Sequence, residues 1–180
     1  MFSSDANAVN FKTVSPPVLM PQEYFKVKVS GSVQVALPLA HVETVLQLNP
    51  QLICPIPGVS PGLLGVVNRR GTLTWVVDLS HFLELAPLTI EPGKNLTAIV
   101  IAQSSFNPTS ISGNSTTIAC AIETLEGVFT PQKVKPIRRP LKSRLRDLLH
   151  QVAYQEKAGI AILDPIVLLR TLQSDVAPGN

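Results

Sequence analysis

The pentapeptide Gly58-Val59-Ser60-Pro61-Gly62 fits, letter for letter, the Gly-x-Ser-x-Gly elbow on which serine hydrolases mount their nucleophile. That chemistry needs the backbone N–H after the serine to help hold an oxyanion, and it needs a strand before the elbow and a helix after it. Pro61 has no N–H, and the stretch from Pro50 to Pro61 is too rich in proline for either flanking element, so a turn is expected here. Glu123 and Glu126 lie three apart in a strand-to-turn region and are expected on the surface. His41, His81 and His150 are too far apart to suggest a metal site. Cys54 and Cys120 sit in apolar runs and are expected to be buried free thiols. With no phosphate-cradling or dinucleotide loop either, the sequence predicts no catalysis, no small-molecule substrate, no metal and no cofactor.

The other chemically loaded segment is electrostatic. Seven of the 15 basic residues (Lys133, Lys135, Arg138, Arg139, Lys142, Arg144 and Arg146) fall between positions 133 and 146 with no acid among them. The rest of the chain holds 8 basic and 12 acidic side chains, a net charge of −4 within an overall +3. A basic stripe on a mildly acidic body can meet nucleic acid, an anionic membrane or an acidic protein face, or it can simply be a solvated surface. Aromatic residues make up only 5% of the chain and no nucleic-acid reading motif accompanies the stripe, which disfavours nucleic acid.

These residues must be carried by a chain of 180 residues, enough for one domain with a real core. Apolar residues reach 45% and charged residues 15%, the balance of a folded chain. The apolar run Gly159 to Leu169 is interrupted by Asp164 and Pro165, so no membrane span is predicted. Residues 1–10 are polar with no Lys or Arg, unlike a secretory signal, and a cytoplasmic location is expected.

Residues 1–20 read as a mobile tail. Alternation from Phe25 to Val29 and from Val33 to Leu37, around Ser30-Gly31-Ser32, predicts a β-hairpin. Leu39, Val42 and Leu46 fit a short helical face. A second hairpin is predicted from Leu63 to Val67 and Leu73 to Val77, its loop being Asn68-Arg69-Arg70-Gly71 with Gly71 suited to positive φ. Asp78 is expected to cap a short helix, Leu79 to Leu85, and strands follow at Thr97 to Ile101 and Thr117 to Ile122 around a polar loop, Gln103 to Ser115. From Pro140, apolar residues at 141, 145, 148, 149 and 152 predict an amphipathic helix with Lys142, Arg144 and Arg146 on its surface. Trp75-Val76-Val77-Asp78 is echoed by Ala161-Ile162-Leu163-Asp164, each reading as strand, Asp cap and short helix, which suggests two similar β-rich halves forming small barrels.

Three runs then combine into a specific pattern: Tyr24-Phe25-Lys26-Val27; Ala36-Leu37-Pro38-Leu39 ahead of Val42 and Val45; and Gly65-Val66-Val67-Asn68-Arg69-Arg70-Gly71 leading into Val76-Val77-Asp78-Leu79. Together they resemble the CheW-like family, adaptors that couple chemoreceptors to a CheA-type histidine kinase. Ala119-Cys120-Ala121-Ile122-Glu123 and Ile160 to Leu169 are similar to the family's later strands, with Glu for the usual Asp, so the resemblance covers residues 22–173. The loop at 103–115 and the basic helix at 141–152 depart from the pattern.

The resemblance implies a mainly β fold with a few short helices, built as two five-stranded SH3-like barrel subdomains with a groove between them. It implies a single CheW-like domain over residues 21–173, in halves of 21–92 and 93–173, followed by a C-terminal tail at 174–180. It further implies a non-enzymatic adaptor that binds the regulatory domain of a CheA-type kinase and the cytoplasmic tip of a methyl-accepting receptor, in a chemosensory, phototaxis or pilus-motility pathway as in PixI- and PilI-like members. Arg70 matches the hairpin arginine implicated in signalling contacts, and Asn68 and Gly71 shape its turn. Val42 matches an apolar contact position, as does Val66, each of which core packing would equally explain. The acid expected two residues after Val42 is Thr44 here, with Glu43 adjacent. Lys142, Arg144 and Arg146 are a candidate second partner surface.

Overall fold

A computed structural model describes residues 22–102, 117–138 and 141–176. The expected N-terminal tail, the polar loop at 103–115, Arg139 and Pro140 lie outside the described residues. Among those described, eleven strands make up two mixed sheets, and three α-helices accompany them. The chain opens with the hairpin β1 (Tyr24–Ser30) and β2 (Val33–Pro38). It then crosses into a second sheet through a 3-10 turn, Leu39–His41, and β3 (Val42–Leu48). The helical face read from Leu39 to Leu46 is therefore a strand: Val42 and Val45 are β-branched, and the segment pairs antiparallel with β6 (Leu96–Ala102). β4 (Leu63–Arg69), β5 (Thr72–Asp78) and β7 (Thr117–Ile122) complete this sheet in the order β3-β6-β7-β5-β4.

From β8 (Thr124–Phe129) the chain returns to the first sheet and adds β9 (Lys133–Pro136), β10 (Gln151–Gln155) and β11 (Ala158–Ile162). The order is β8-β1-β2-β11-β10-β9. One sheet thus has six strands where five were expected. The pairing is also nested: the middle of the chain builds one sheet and its two ends build the other, so residues 21–92 and 93–173 are not the units of strand pairing.

The five-stranded sheet closes on itself. After β3 a 3-10 turn, Pro50–Leu52, aims Cys54 at β4, where its N–H donates to the Val66 carbonyl (2.8 Å) and its carbonyl accepts from the Val66 N–H (2.9 Å). This closure depends on Gly65, at φ +138°, because a Cβ there would lie 2.2 Å from the Cys54 carbonyl oxygen. Cys54 itself is exposed, contrary to expectation, because it lies on the rim of this seam. Cys120 is buried in β7, and burial pushes its thiol pKa up to about 12.

Strand alternation explains the layers. In β7, Ile118, Cys120 and Ile122 face the core between the sheets, and Ala119 and Ala121 face the barrel interior. In β6, Ile99 and Ile101 face the inter-sheet core, with Ala98 and Val100 inside the barrel. The small interior thus receives small residues and the broader core receives large ones. Val27, Val29, Val35 and Leu37 of the six-stranded sheet fill that core from the other side.

Both predicted Asp caps form. The Asp78 carboxylate accepts from the Ser80 hydroxyl, the His81 N–H and the Leu88 N–H, holding α1 (Leu79–Phe82) and the following chain. The Asp164 carboxylate accepts from the Ile166 and Val167 N–H groups at the start of α3 (Pro165–Val176). α1 ends at Phe82, short of Leu85, because Glu84 turns into the left-handed region at φ +59°. α3 runs to Val176, into the region read as a C-terminal tail. The basic helix is likewise shorter than its leucine spacing suggested: α2 spans Ser143–Leu148, and Val152 belongs to β10, where pairing with β11 and β9 overrides the helical period.

Candidate partner-binding surface

The β4–β5 hairpin builds the site. Its strands run to Arg69 and resume at Thr72, so the expected four-residue loop shrinks to the two-residue turn Arg70-Gly71. Both turn residues are left-handed, Arg70 at φ +52° and Gly71 at φ +82°, the geometry that matches the right-handed twist of a tight hairpin. Asn68 fixes the turn by accepting a hydrogen bond at Oδ1 from the Gly71 N–H (2.9 Å). The result is a tight tip that presents the exposed Arg70 to solvent.

Arg69, which sequence reasoning left unassigned, lies behind that tip. Its guanidinium forms an ion pair with Glu43 of β3, with Nη1 3.4 Å from Oε2 and Nη2 against Oε1. Hydrogen bonding from Arg69 holds the Glu43 carboxyl below the usual carboxylate range; slight desolvation opposes this, and the charges of Arg69 and Arg70 reinforce it. Glu43 is therefore held within the fold rather than standing free for a partner. Around the pair, Glu43, Arg69, Arg70, Thr72, Thr74 and Thr117 line a polar hollow of about 200 Å³.

The opposite face of the hairpin carries an apolar strip. Antiparallel pairing sets Val66 opposite Trp75 and Asn68 opposite Leu73, so all four share one face. Along β5 the strip emerges from the core: Val77 is fully buried, Trp75 is half-buried, and Leu73 is 70% exposed. Trp75 and Leu73 were missed as surface residues, although the alternation from Thr72 to Asp78 already puts them on one face with Val77. Val42 is half-buried and packs against the inter-sheet core. The fold thus brings Glu43 and Arg70 together at the polar hollow, while Asn68 and Val66 lie with Leu73 and Trp75 on the opposite face of the hairpin, and Gly71 forms its turn.

The second candidate surface does not gather in the same way. Lys142, just before α2, places Nζ 2.5 Å from the Glu84 carboxylate. Arg146 is exposed on α2, and the side chain of Arg144 lies outside the described residues. Ser60 accepts at its carbonyl from the Leu63 N–H, in a turn and not in a strand-to-helix elbow. Among the described residues, no three His, Cys, Asp or Glu side chains are grouped to hold a metal, and no helix is long and apolar enough to cross a membrane.

Two mixed sheets, one closed into a small barrel, and an arginine-tipped hairpin with an apolar strip along one face define a mainly β fold. Residues 23–173 match the family of CheW-like domains, and the chain belongs to that family. The scaffolding protein TtCheW from Thermoanaerobacter tengcongensis has a similar fold, with a TM-score of 0.63 at 17% identity over 81% of this chain and 90% of that one. No curated sequence matches the chain.

Proposed function

We propose that this protein is a non-enzymatic cytoplasmic adaptor that couples a chemoreceptor-type sensor to a CheA-type histidine kinase, in a chemosensory, phototaxis or pilus-motility pathway. Membership of the CheW-like family supports the adaptor role. The observation that carries the assignment of the contact is the hairpin tip, where a two-residue turn holds Arg70 outward at the end of a hairpin that carries Val66, Trp75 and Leu73 on one face. A charged group beside an apolar strip suits a protein interface, in which the strip supplies buried area and the arginine a charge-assisted bond to an acidic partner group. The mechanism is structural: holding the kinase at the receptor raises its local concentration and fixes its geometry, so receptor state can bias kinase output.

Calorimetric titration with the regulatory domain of the CheA-type kinase from the same organism tests the reading. Micromolar or tighter binding by the native protein, with loss in a folded Arg70→Glu variant, is expected. Equal binding by both removes Arg70 from the kinase contact, and no binding by either removes the kinase as partner.

A further inference from the structure

The described cations of the basic stretch from 133 to 146 do not share one set of neighbours. Lys142 pairs with Glu84, just beyond α1. Lys133, Arg138 and Arg146 have no anionic partner among the described residues, and Lys135 rests its Nζ 5.7 Å from the centre of the Tyr154 ring. Three of these cations lie on or just beyond β9, the last strand of the six-stranded sheet.

Register shows how they are presented. Lys133 pairs with Tyr154 and Lys135 with Val152, so these four share the face opposite the buried Ala153. Lys135, Pro136, Ile137, Arg138, Val152 and Tyr154 line a groove of about 550 Å³ on that face. Its floor is apolar and half-buried, its rim is cationic, and one wall is a strand whose four residues are all exposed.

We propose that this groove docks an extended acidic segment of a protein partner, carboxylates meeting Lys133, Lys135 and Arg138 while apolar side chains settle on Ile137, Val152 and Tyr154. Charge complementarity selects the occupant. A second copy pairing through the same edge would set lysine against lysine, which is unfavourable, whereas an acidic strand relieves the charge and can also use the open strand edge. The shape argues against the other anionic partners. Tyr154 is the one aromatic ring among the described residues that line the groove, so successive nucleic-acid bases would find no series of stacking platforms there. A membrane surface favours apolar groups projecting beyond a basic face, whereas here the apolar groups form the floor of a groove. The proposal is independent of the kinase assignment, because Arg70 belongs to the other sheet.

Fluorescence anisotropy with a labelled peptide of alternating glutamate and valine tests it, with duplex DNA and phosphatidylserine vesicles titrated alongside. The native protein should bind the peptide in preference to both, and a Lys135→Glu/Arg138→Glu variant should bind it at least about tenfold more weakly. Charge-neutral Lys135→Gln/Arg138→Gln should fall between, and Lys142→Ala should match the native protein. Both substituted residues are exposed, and an unchanged thermal midpoint confirms an intact fold. Peptide binding unaffected by either double variant, no peptide binding, or preference for DNA or vesicles overturns the proposal.

Discussion

Arg69 and Glu43 face each other across the seam of the barrel, one on each edge strand of the five-stranded sheet. The pair ties the start of β3 to the end of β4, and the Cys54–Val66 bridge ties the chain after β3 to the middle of the same strand. Hairpin tip and barrel closure are therefore one structure, and a change at Arg69 loosens the platform from which Arg70 projects.

Arg69→Gln should raise the Glu43 pKa toward its ordinary value of 4.5. The Glu43 side chain is 41% exposed, so solvent screening holds the stability loss at neutral pH to about 0.5 kcal/mol. Because the folded-state pKa is depressed, the pair stabilises the fold above the ordinary carboxylate value, and that contribution disappears as pH falls through the lower folded value. Glu123, bonded to Lys28, is depressed in the same direction and adds to the same acid limb. NMR titration of the Glu43 carboxyl, with urea unfolding at neutral and acid pH, should show the variant losing less stability than the native protein on acidification. An unmoved Glu43 titration counts against the pair.

Gly65→Ala should cost about 3 kcal/mol, since its Cβ meets the Cys54 carbonyl and its φ of +138° strains any L side chain. Gly62→Ala is the contrast: its Cβ would lie 3.5 Å from the Phe82 nitrogen, an ordinary contact, and the loss should stay below about 1 kcal/mol. Denaturant midpoints of the two variants make the comparison, and similar losses at both sites would mean that the seam does not depend on Gly65.

The cysteines should separate cleanly toward a thiol reagent. Cys54 on the seam rim is exposed, whereas Cys120 is fully buried with its thiol held protonated to about pH 12. Under native conditions one equivalent should react, mapped to Cys54 by peptide mass, and the second only on unfolding. Early modification of Cys120 would show that β7 opens locally.

What could be read in the sequence follows from how local each signal is. The two early hairpins, both Asp caps and strands β6 and β7 announce themselves within a few residues, through alternation or a capping side chain. β8, β9 and β10 do not. β8 carries Glu126 and Gly127, with a register shift where it meets β1, and β9 is four exposed residues with no buried face to give a period. β10 overlaps the leucine spacing of α2, which imitates a longer helix. The nesting of one sheet between the two ends of the other is a long-range property that no local pattern reports. At the site, Gly71 was legible as turn chemistry and Arg70 and Asn68 through the family resemblance, but the Arg69–Glu43 pair spans 26 positions and exists only because the barrel closes.

Arg70 also tests whether the tip is shaped for contact or for stability. A non-glycine side chain in the left-handed region costs roughly 1 kcal/mol, and asparagine tolerates that region better while keeping a polar surface. Arg70→Asn should therefore raise stability by about 0.5 kcal/mol while weakening binding of the kinase regulatory domain by about tenfold, two effects of opposite sign from one substitution. Thermal unfolding and calorimetric titration of the same preparation read both. A gain in stability with full binding would make Arg70 an exposed turn residue and shift attention to Trp75 and Leu73. Loss of both would mean that the arginine holds the hairpin itself, through its charge near Glu43.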